Sequence, residues 1–243
     1  MFRSMKNLGV CVSISLLCVL LSSCGSKEES ARSAATDAAK VSVPDPSATV
    51  QDKALKQIRD FVAAQNIDRT KPKWKESLKK PPQAEFDSDH EYFWNVDTNK
   101  GQIRLQLLPE VAPMHVTSAI YLVEAGFYDN LKFHRVIPGF MAQGGCPQGT
   151  GRGGPGYKMA GEYSPNVRHD RFGLLSAANS GVGTDGSQFF ITFAATRHLD
   201  DKHTIYGKVA EGVSTVRALE QAGSSSGTTG EPLLIVRSTI DVE

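Results

Sequence analysis

Residues 132–145 read KFHRVIPGFMAQGG. One arginine, Arg135, stands among Phe133, Val136, Ile137, Phe140 and Met141, yet arginine is one of the side chains least tolerated in apolar surroundings. A plain core strand would not hold it, so Arg135 needs either a partner or a task. Pro138-Gly139 is a turn signal that brings Phe140 and Met141 back toward it.

The chain has 243 residues, 40% hydrophobic and 22% charged, which is the composition of a globular protein with one ordinary domain and appendages. A core of that size needs no disulfide or metal to stabilise it. The formal charge is +1, and without residues 1–23, which hold Arg3 and Lys6 and no acid, the balance becomes −1. Nothing in that balance points to nucleic acid.

Residues 1–23 carry a short basic start (Arg3, Lys6) and an apolar run from Leu8 to Leu21, too short for a comfortable bilayer span, and are expected to be an export signal. The end of that run, Leu21-Ser22-Ser23-Cys24, resembles the bacterial lipobox. That resemblance implies cleavage before Cys24, lipidation of its sulfur and a membrane anchor. The alternative is a plain cleaved signal with Cys24 incidental. With Gly25 following, the expected location is the bacterial cell envelope, on the periplasmic face of the outer membrane. Of the four cysteines only Cys146 lies beyond this region, so an intradomain disulfide is impossible. Cys146 reads as a packed small residue rather than a redox centre.

Residues 24–49 are rich in Ser, Ala and charge and hold almost no large apolar side chain, so they read as a disordered tether. As a coil, the 23 residues from Gly25 to Ser47 would span on the order of 25 Å. Residues 50–90 are expected to hold a short amphipathic helix, with Leu55, Ile58 and Val62 on one face, and then a basic, proline-broken arm. From Glu91 the texture changes to short strands. Tyr92–Val96 and Gln102–Leu108 flank a turn ending at Gly101. A helix is expected from Pro113 to a stop at Gly126, with Val116, Ala119, Ile120 and Val123 on its apolar face. A shorter helix is expected over 214–221, and a last strand over 233–242. Many short strands with two helices argue for a sandwich or closed barrel.

The opening stretch is followed in order by Gly149-Thr150-Gly151-Arg152-Gly153-Gly154, Leu175-Ser176-Ala177-Ala178-Asn179-Ser180-Gly181, Asp185-Gly186-Ser187-Gln188-Phe189-Phe190-Ile191 and Leu199-Asp200-Asp201-Lys202-His203-Thr204-Ile205-Tyr206-Gly207. Together the five blocks resemble the cyclophilins, the peptidyl-prolyl cis/trans isomerases of the closed-barrel type, over roughly residues 91–243. The resemblance implies a mainly-β fold, a closed eight-stranded antiparallel β-barrel capped by two α-helices. It also implies that Arg135 is catalytic, and that Phe140, Met141, Phe190 and Leu199 line a proline pocket. Gln143, Ala178, Asn179, Gln188 and His203 would hold the peptide backbone or close the pocket wall. On their own, Phe140, Met141 and Phe190 would pass for ordinary core, and Arg135 for a surface ion-pair partner. The expected partners are proline-containing polypeptides, bound by a monomer.

The chemistry fits such a set. Rotation about X-Pro is opposed by about 18–20 kcal/mol of amide resonance. In the twisted state the nitrogen lone pair is localised and accepts a hydrogen bond, which a fixed guanidinium can supply while binding the planar amide less well. Ordinary enzymatic turnover needs roughly 3–7 kcal/mol of that barrier removed. No nucleophile, general base, metal or cofactor is required. The alternative is a proline-peptide binding module or holdase chaperone with incidental isomerisation. Two departures stand out: many cyclophilins have tryptophan where this chain has His198, which implies weakened cyclosporin binding, and Ala177 stands where many have methionine.

Overall fold

The computed structural model describes residues 52–243; the expected signal, the lipidation site Cys24 and the tether lie outside the described residues. Helix α1 (Lys53–Ala64) starts at Asp52, whose carboxylate accepts the Leu55 N–H at 2.6 Å. Strands β1 (Tyr92–Thr98) and β2 (Gly101–Leu107) form an antiparallel hairpin in which Thr98 faces Gly101, so the turn is two residues long, three fewer than the alternation suggested. Gly101 sits at φ +121°, and the Thr98 hydroxyl donates to its carbonyl at 2.6 Å. Helix α2 follows (Pro113–Glu124), then β3 (Leu131–Lys132), β4 (Arg135–Ile137), β5 (Met141–Gly144), β6 (Leu174–Ala177), β7 (Phe189–Thr192), β8 (Ile205–Glu211), α3 (Val213–Gln221) and β9 (Leu234–Val242).

All nine strands belong to one curled antiparallel sheet in the order β3-β9-β1-β2-β8-β6-β7-β5-β4. The fold is therefore mainly β with three α-helices among the described residues, but the expected closed eight-stranded ladder is not what is seen. Among the described residues there are nine strands, and the end strands β3 and β4 share no ladder. The cause is a change of partners at Phe133-His134. Residues 131–133 bond to the β9 side, with the Phe133 N–H on the Leu233 carbonyl. Val136 instead pairs with β5 and exchanges backbone bonds with Gly227 and Ser224.

Inside the curl, Trp94, Tyr128, Phe133 and Phe189 form a buried aromatic cluster, with Trp94 at 4.6 Å from Tyr128 and 5.0 Å from Phe189 between ring centroids. Helix α2 is buried from His115 through Val123, more completely than a one-sided apolar stripe would require. Its outer side is covered by α1: Phe61 meets Tyr121 edge-on at 5.3 Å, and Arg59 holds Glu124 with two bonds of 3.0 and 3.1 Å. The arm is not free in solvent either. Leu78 and Ala84 are buried, the Leu78 N–H donates to the Pro155 carbonyl, and Lys75 lies over Trp74 and Phe127. No helix among the described residues is long and apolar enough to cross a membrane.

Candidate functional site

The pairing register answers the question raised by Arg135. Arg135 on β4 faces Gln143 on β5, which faces Phe190 on β7, which faces Ser176 on β6. The next row is Ile137, Met141 and Thr192. Because side chains alternate across a sheet, these residues share one face. Val136, Ala142, Phe189, Ile191 and Leu175 take the other face and are fully buried. Arg135 is thus an outward residue between inward ones, and its side chain is exposed.

On that face Arg135 lies 5.9 Å from the Phe140 ring centroid, and its Nη1 is a long 3.5 Å from Gln143 Oε1. Gln143 Nε2 donates to Gln188 Oε1 at 3.0 Å, and Gln188 Nε2 donates to the carbonyls of Gly151 and Gly153, both at 2.8 Å. This relay fixes which way each amide points and ties the row to the glycine-rich 149–154 loop. Met141 (2% exposed) and Phe190 (4%) form the deeper apolar floor, with Phe140 half-buried at the rim. Leu199 sits on a 3₁₀ turn (Arg197–Leu199), and its carbonyl accepts the His203 N–H. His203 stands edge-on to Phe190 at 5.5 Å and donates through Nδ1 to the Ala177 carbonyl at 2.9 Å, which leaves Nε2 free. His198 is exposed and lies 5.7 Å from Phe140, at the rim.

Ala178 and Asn179 stand further along. Ala178 N–H bonds the Gln188 carbonyl, and Asn179 Nδ2 donates to the Lys202 carbonyl at 2.9 Å. With Gln143 and Gln188 they border a polar cleft of about 360 Å³ that continues past Arg152 and Lys158. The ten residues expected from sequence therefore divide into an apolar patch (Phe140, Met141, Phe190, Leu199, His203) and a polar cleft (Ala178, Asn179). Arg135, Gln143 and Gln188 form the bridge between them. A larger cavity of about 650 Å³ under the arm, bordered by Phe86 and Leu108, contains none of them.

Two supports were not legible in the sequence. His169 stacks beneath Phe190 at 6.1 Å and is held between Asp200 and the Ser176 hydroxyl, both at 3.0 Å. Burial pushes its imidazole below the ordinary value despite Asp200. Gly227 lies directly against Arg135: at φ +86°, a Cβ there would stand 2.8 Å from Arg135 Cγ. A lone His in VRHDRF and a Gly in a Ser/Gly-rich turn carry no local signal for either role.

Comparison with known proteins agrees. Residues 93–240 match the family described as cyclophilin type peptidyl-prolyl cis-trans isomerase/CLD. A peptidyl-prolyl cis-trans isomerase of Helicobacter pylori is 47% identical over 128 residues, covering 52% of this chain and 78% of that protein. The crystal structure of a Cryptosporidium parvum cyclophilin type peptidyl-prolyl cis-trans isomerase superposes with a TM-score of 0.59 at 32% identity, over 62% of this chain and 97% of that one. The same enzyme in the presence of the dipeptide Ala-Pro gives 0.59 at 33% identity, over 61% and 98%. The chain belongs to the cyclophilin-type peptidyl-prolyl cis-trans isomerase family and is an enzyme of that activity, EC 5.2.1.8.

Proposed function

We propose that this protein isomerises X-Pro bonds of exported polypeptides through Arg135, beside an apolar seat for the proline ring made by Phe140, Met141, Phe190 and Leu199. The observation that carries this reading is the cross-strand row: Arg135, Gln143 and Phe190 are neighbours on one face of three paired strands. A proline ring on Phe190 and Met141 sets its nitrogen toward the guanidinium, which is always charged and rich in donors. As the amide twists, its lone pair localises and the hydrogen bond from Arg135 strengthens. That difference between planar and twisted states is the catalysis. Gln143 and Gln188, pre-aimed by their relay, and Asn179 hold the flanking backbone, and His203 and Ala178 close the walls. Counting residues 131–137 as one strand interrupted at Phe133-His134 would reduce the nine strands to the eight of the barrel that the resemblance implies.

The substrate class is a proline-containing polypeptide, as the Ala-Pro dipeptide present with the Cryptosporidium parvum relative suggests. Leu21-Ser22-Ser23-Cys24 supports a lipid anchor on Cys24 and a place at the periplasmic face of the outer membrane. The protein acts as a monomer, with no nucleic-acid partner.

Ala-Pro competition in an X-Pro peptide isomerisation assay tests the groove. Inhibition in the wild type and its loss in Phe190→Ala are expected, and undiminished competition in Phe190→Ala would place the proline elsewhere. Metabolic lipid labelling that persists in Cys24→Ser would rule out the anchor.

A further inference from the structure

Behind the groove, a buried histidine stands between two carboxylates. His115, in the first turn of α2 with its side chain 2% exposed, has Nδ1 2.6 Å from Glu162 Oε2 and Nε2 2.9 Å from Asp185 Oδ2. A neutral imidazole has a single N–H, so it could donate to only one of them. Both acids accept from other donors as well. Glu162 accepts the Met114 and His115 backbone N–H groups at 3.1 and 2.9 Å, at the positive end of α2. Asp185 Oδ2 also accepts the Thr204 hydroxyl at 3.3 Å, and that hydroxyl oxygen in turn accepts the Glu162 N–H at 2.9 Å. The geometry calls for a ring protonated on both nitrogens.

We propose that His115 is a positioning residue for the isomerase groove, a buried cation that fastens the 183–188 turn to α2 and thereby sets the place of Gln188. The proposal rests on the assignment of Gln188 and His203 to the groove made above.

Only Gly186 and Ser187 separate Asp185 from Gln188, and the turn between them is pinned. The Asp185 carbonyl accepts the Met159 N–H, Ser187 Oγ donates to the Gly145 carbonyl at 2.7 Å, and the Ser187 carbonyl accepts the buried Tyr128 hydroxyl. The side-chain tie of this turn to α2 is Asp185 with His115. On the other side, the Thr204 carbonyl accepts the Ala177 N–H and the Ser176 hydroxyl, next to the Ala177 carbonyl that holds His203. One cation therefore backs both walls of the site.

The titratable groups facing the cluster are Glu162, Asp185 and the phenols of Tyr206 and Tyr163. Burial holds both phenols above their ordinary value, so they stay neutral near pH 7. Burial opposes charge on His115 too, but the bonds it donates to Asp185 and Glu162 outweigh it and raise the imidazole above its ordinary value. A raised histidine contributes fully below the unfolded value of about 6.5 and loses that contribution as pH rises through the folded one.

The test follows the His115 ring nitrogens and the Gln188 side-chain amide by NMR on the full chain across about pH 6–10, with kcat and KM for an X-Pro peptide at each pH. Both ring nitrogens carry protons at neutral pH. As the ring titrates, the Gln188 amide shifts with the same midpoint, and KM rises about 3- to 10-fold with kcat nearly constant. Asp185→Asn, which removes one carboxylate, moves ring midpoint and KM limb together to lower pH by about one unit or more. A ring neutral at pH 7, or a Gln188 amide and KM that ignore its titration, overturns the proposal; both are read on the wild type, so a poorly folding variant does not block the test. Gln188→Leu separates the two readings: if it leaves KM unchanged, the groove assignment fails rather than the role of His115.

Discussion

Replacing Gln188 by leucine removes the centre of the amide relay. Three bonds go: two from Nε2 to the carbonyls of Gly151 and Gly153 at 2.8 Å, and one accepted from Gln143 at 3.0 Å. Each neutral hydrogen bond contributes about 0.5–1.5 kcal/mol net. The glycine carbonyls border the open cleft and regain water, so the fold loses about 1–2 kcal/mol, a fall in Tm of about 2–8 °C for a domain of this size. The larger effect passes through Gln143. Without Gln188 its amide has no fixed acceptor, and its 3.5 Å approach to Arg135 is too long to hold it alone. Losing one to two bonds' worth of orientation lowers kcat/KM about 5- to 30-fold, mostly in KM because Gln143 meets the ground-state peptide as well. Gln188→Glu keeps the acceptor and loses the donors, and should fall between. A coupled X-Pro peptide assay at low temperature, beside a thermal melt, reads both quantities. A Gln188→Leu enzyme within twofold of wild type would refute the reasoning, since Gln143 and Arg135 would then stand unaided.

Gly227→Ala puts a methyl group 2.8 Å from Arg135 Cγ on a backbone at φ +86°, so kcat/KM should drop about tenfold or more at a cost of about 1–2 kcal/mol in stability; full activity in that variant would show the guanidinium is not held there. Asp52, buried, accepts from Leu55 N–H, the Tyr92 hydroxyl and His90, and although burial raises its pKa these bonds outweigh it and hold the carboxyl below its ordinary value. Its contribution is therefore present above about pH 4 and lost as pH falls through the depressed value. Asp52→Ala should cost about 2–4 kcal/mol and flatten the acid limb of a Tm-against-pH curve, and an unchanged limb would contradict it. His198→Trp, at the rim beside Phe140, should raise cyclosporin affinity about tenfold by calorimetry, and equal affinities would show that this position does not govern it.

The strands were legible where burial is one-sided. Trp94 and Val96, with Ile103 and Leu105 opposite, alternate with polar neighbours, and the hairpin follows. Helix α2 was legible from Pro113 and Gly126, but not its burial all round, because that depends on α1 coming back from 60 residues upstream to cover it. The strand count was missed because the change of hydrogen-bond partner at Phe133-His134 leaves no mark in residue type. At the site, the five sequence blocks named, by resemblance, residues that the register places side by side, and the register shows why Arg135 can sit between Phe133, Val136 and Ile137: the first two point inward and it points out. What supports the site is long-range and carries no motif. His169 under Phe190, Gly227 against Arg135, and His115 behind the 183–188 turn each became visible only with the chain folded.

The central claim is that the Arg135 guanidinium stabilises the twisted amide. Arg135→Ala, compared with wild type at equal folded concentration in the X-Pro isomerisation assay, tests it most directly. Because Arg135 is exposed and its single side-chain bond is long, the fold should be nearly unaffected. One charged hydrogen bond of about 1.5–3 kcal/mol made in the twisted state predicts a fall in kcat/KM of about 10- to 150-fold, with peptide affinity little changed. A variant that isomerises within twofold of the wild-type rate would contradict the account.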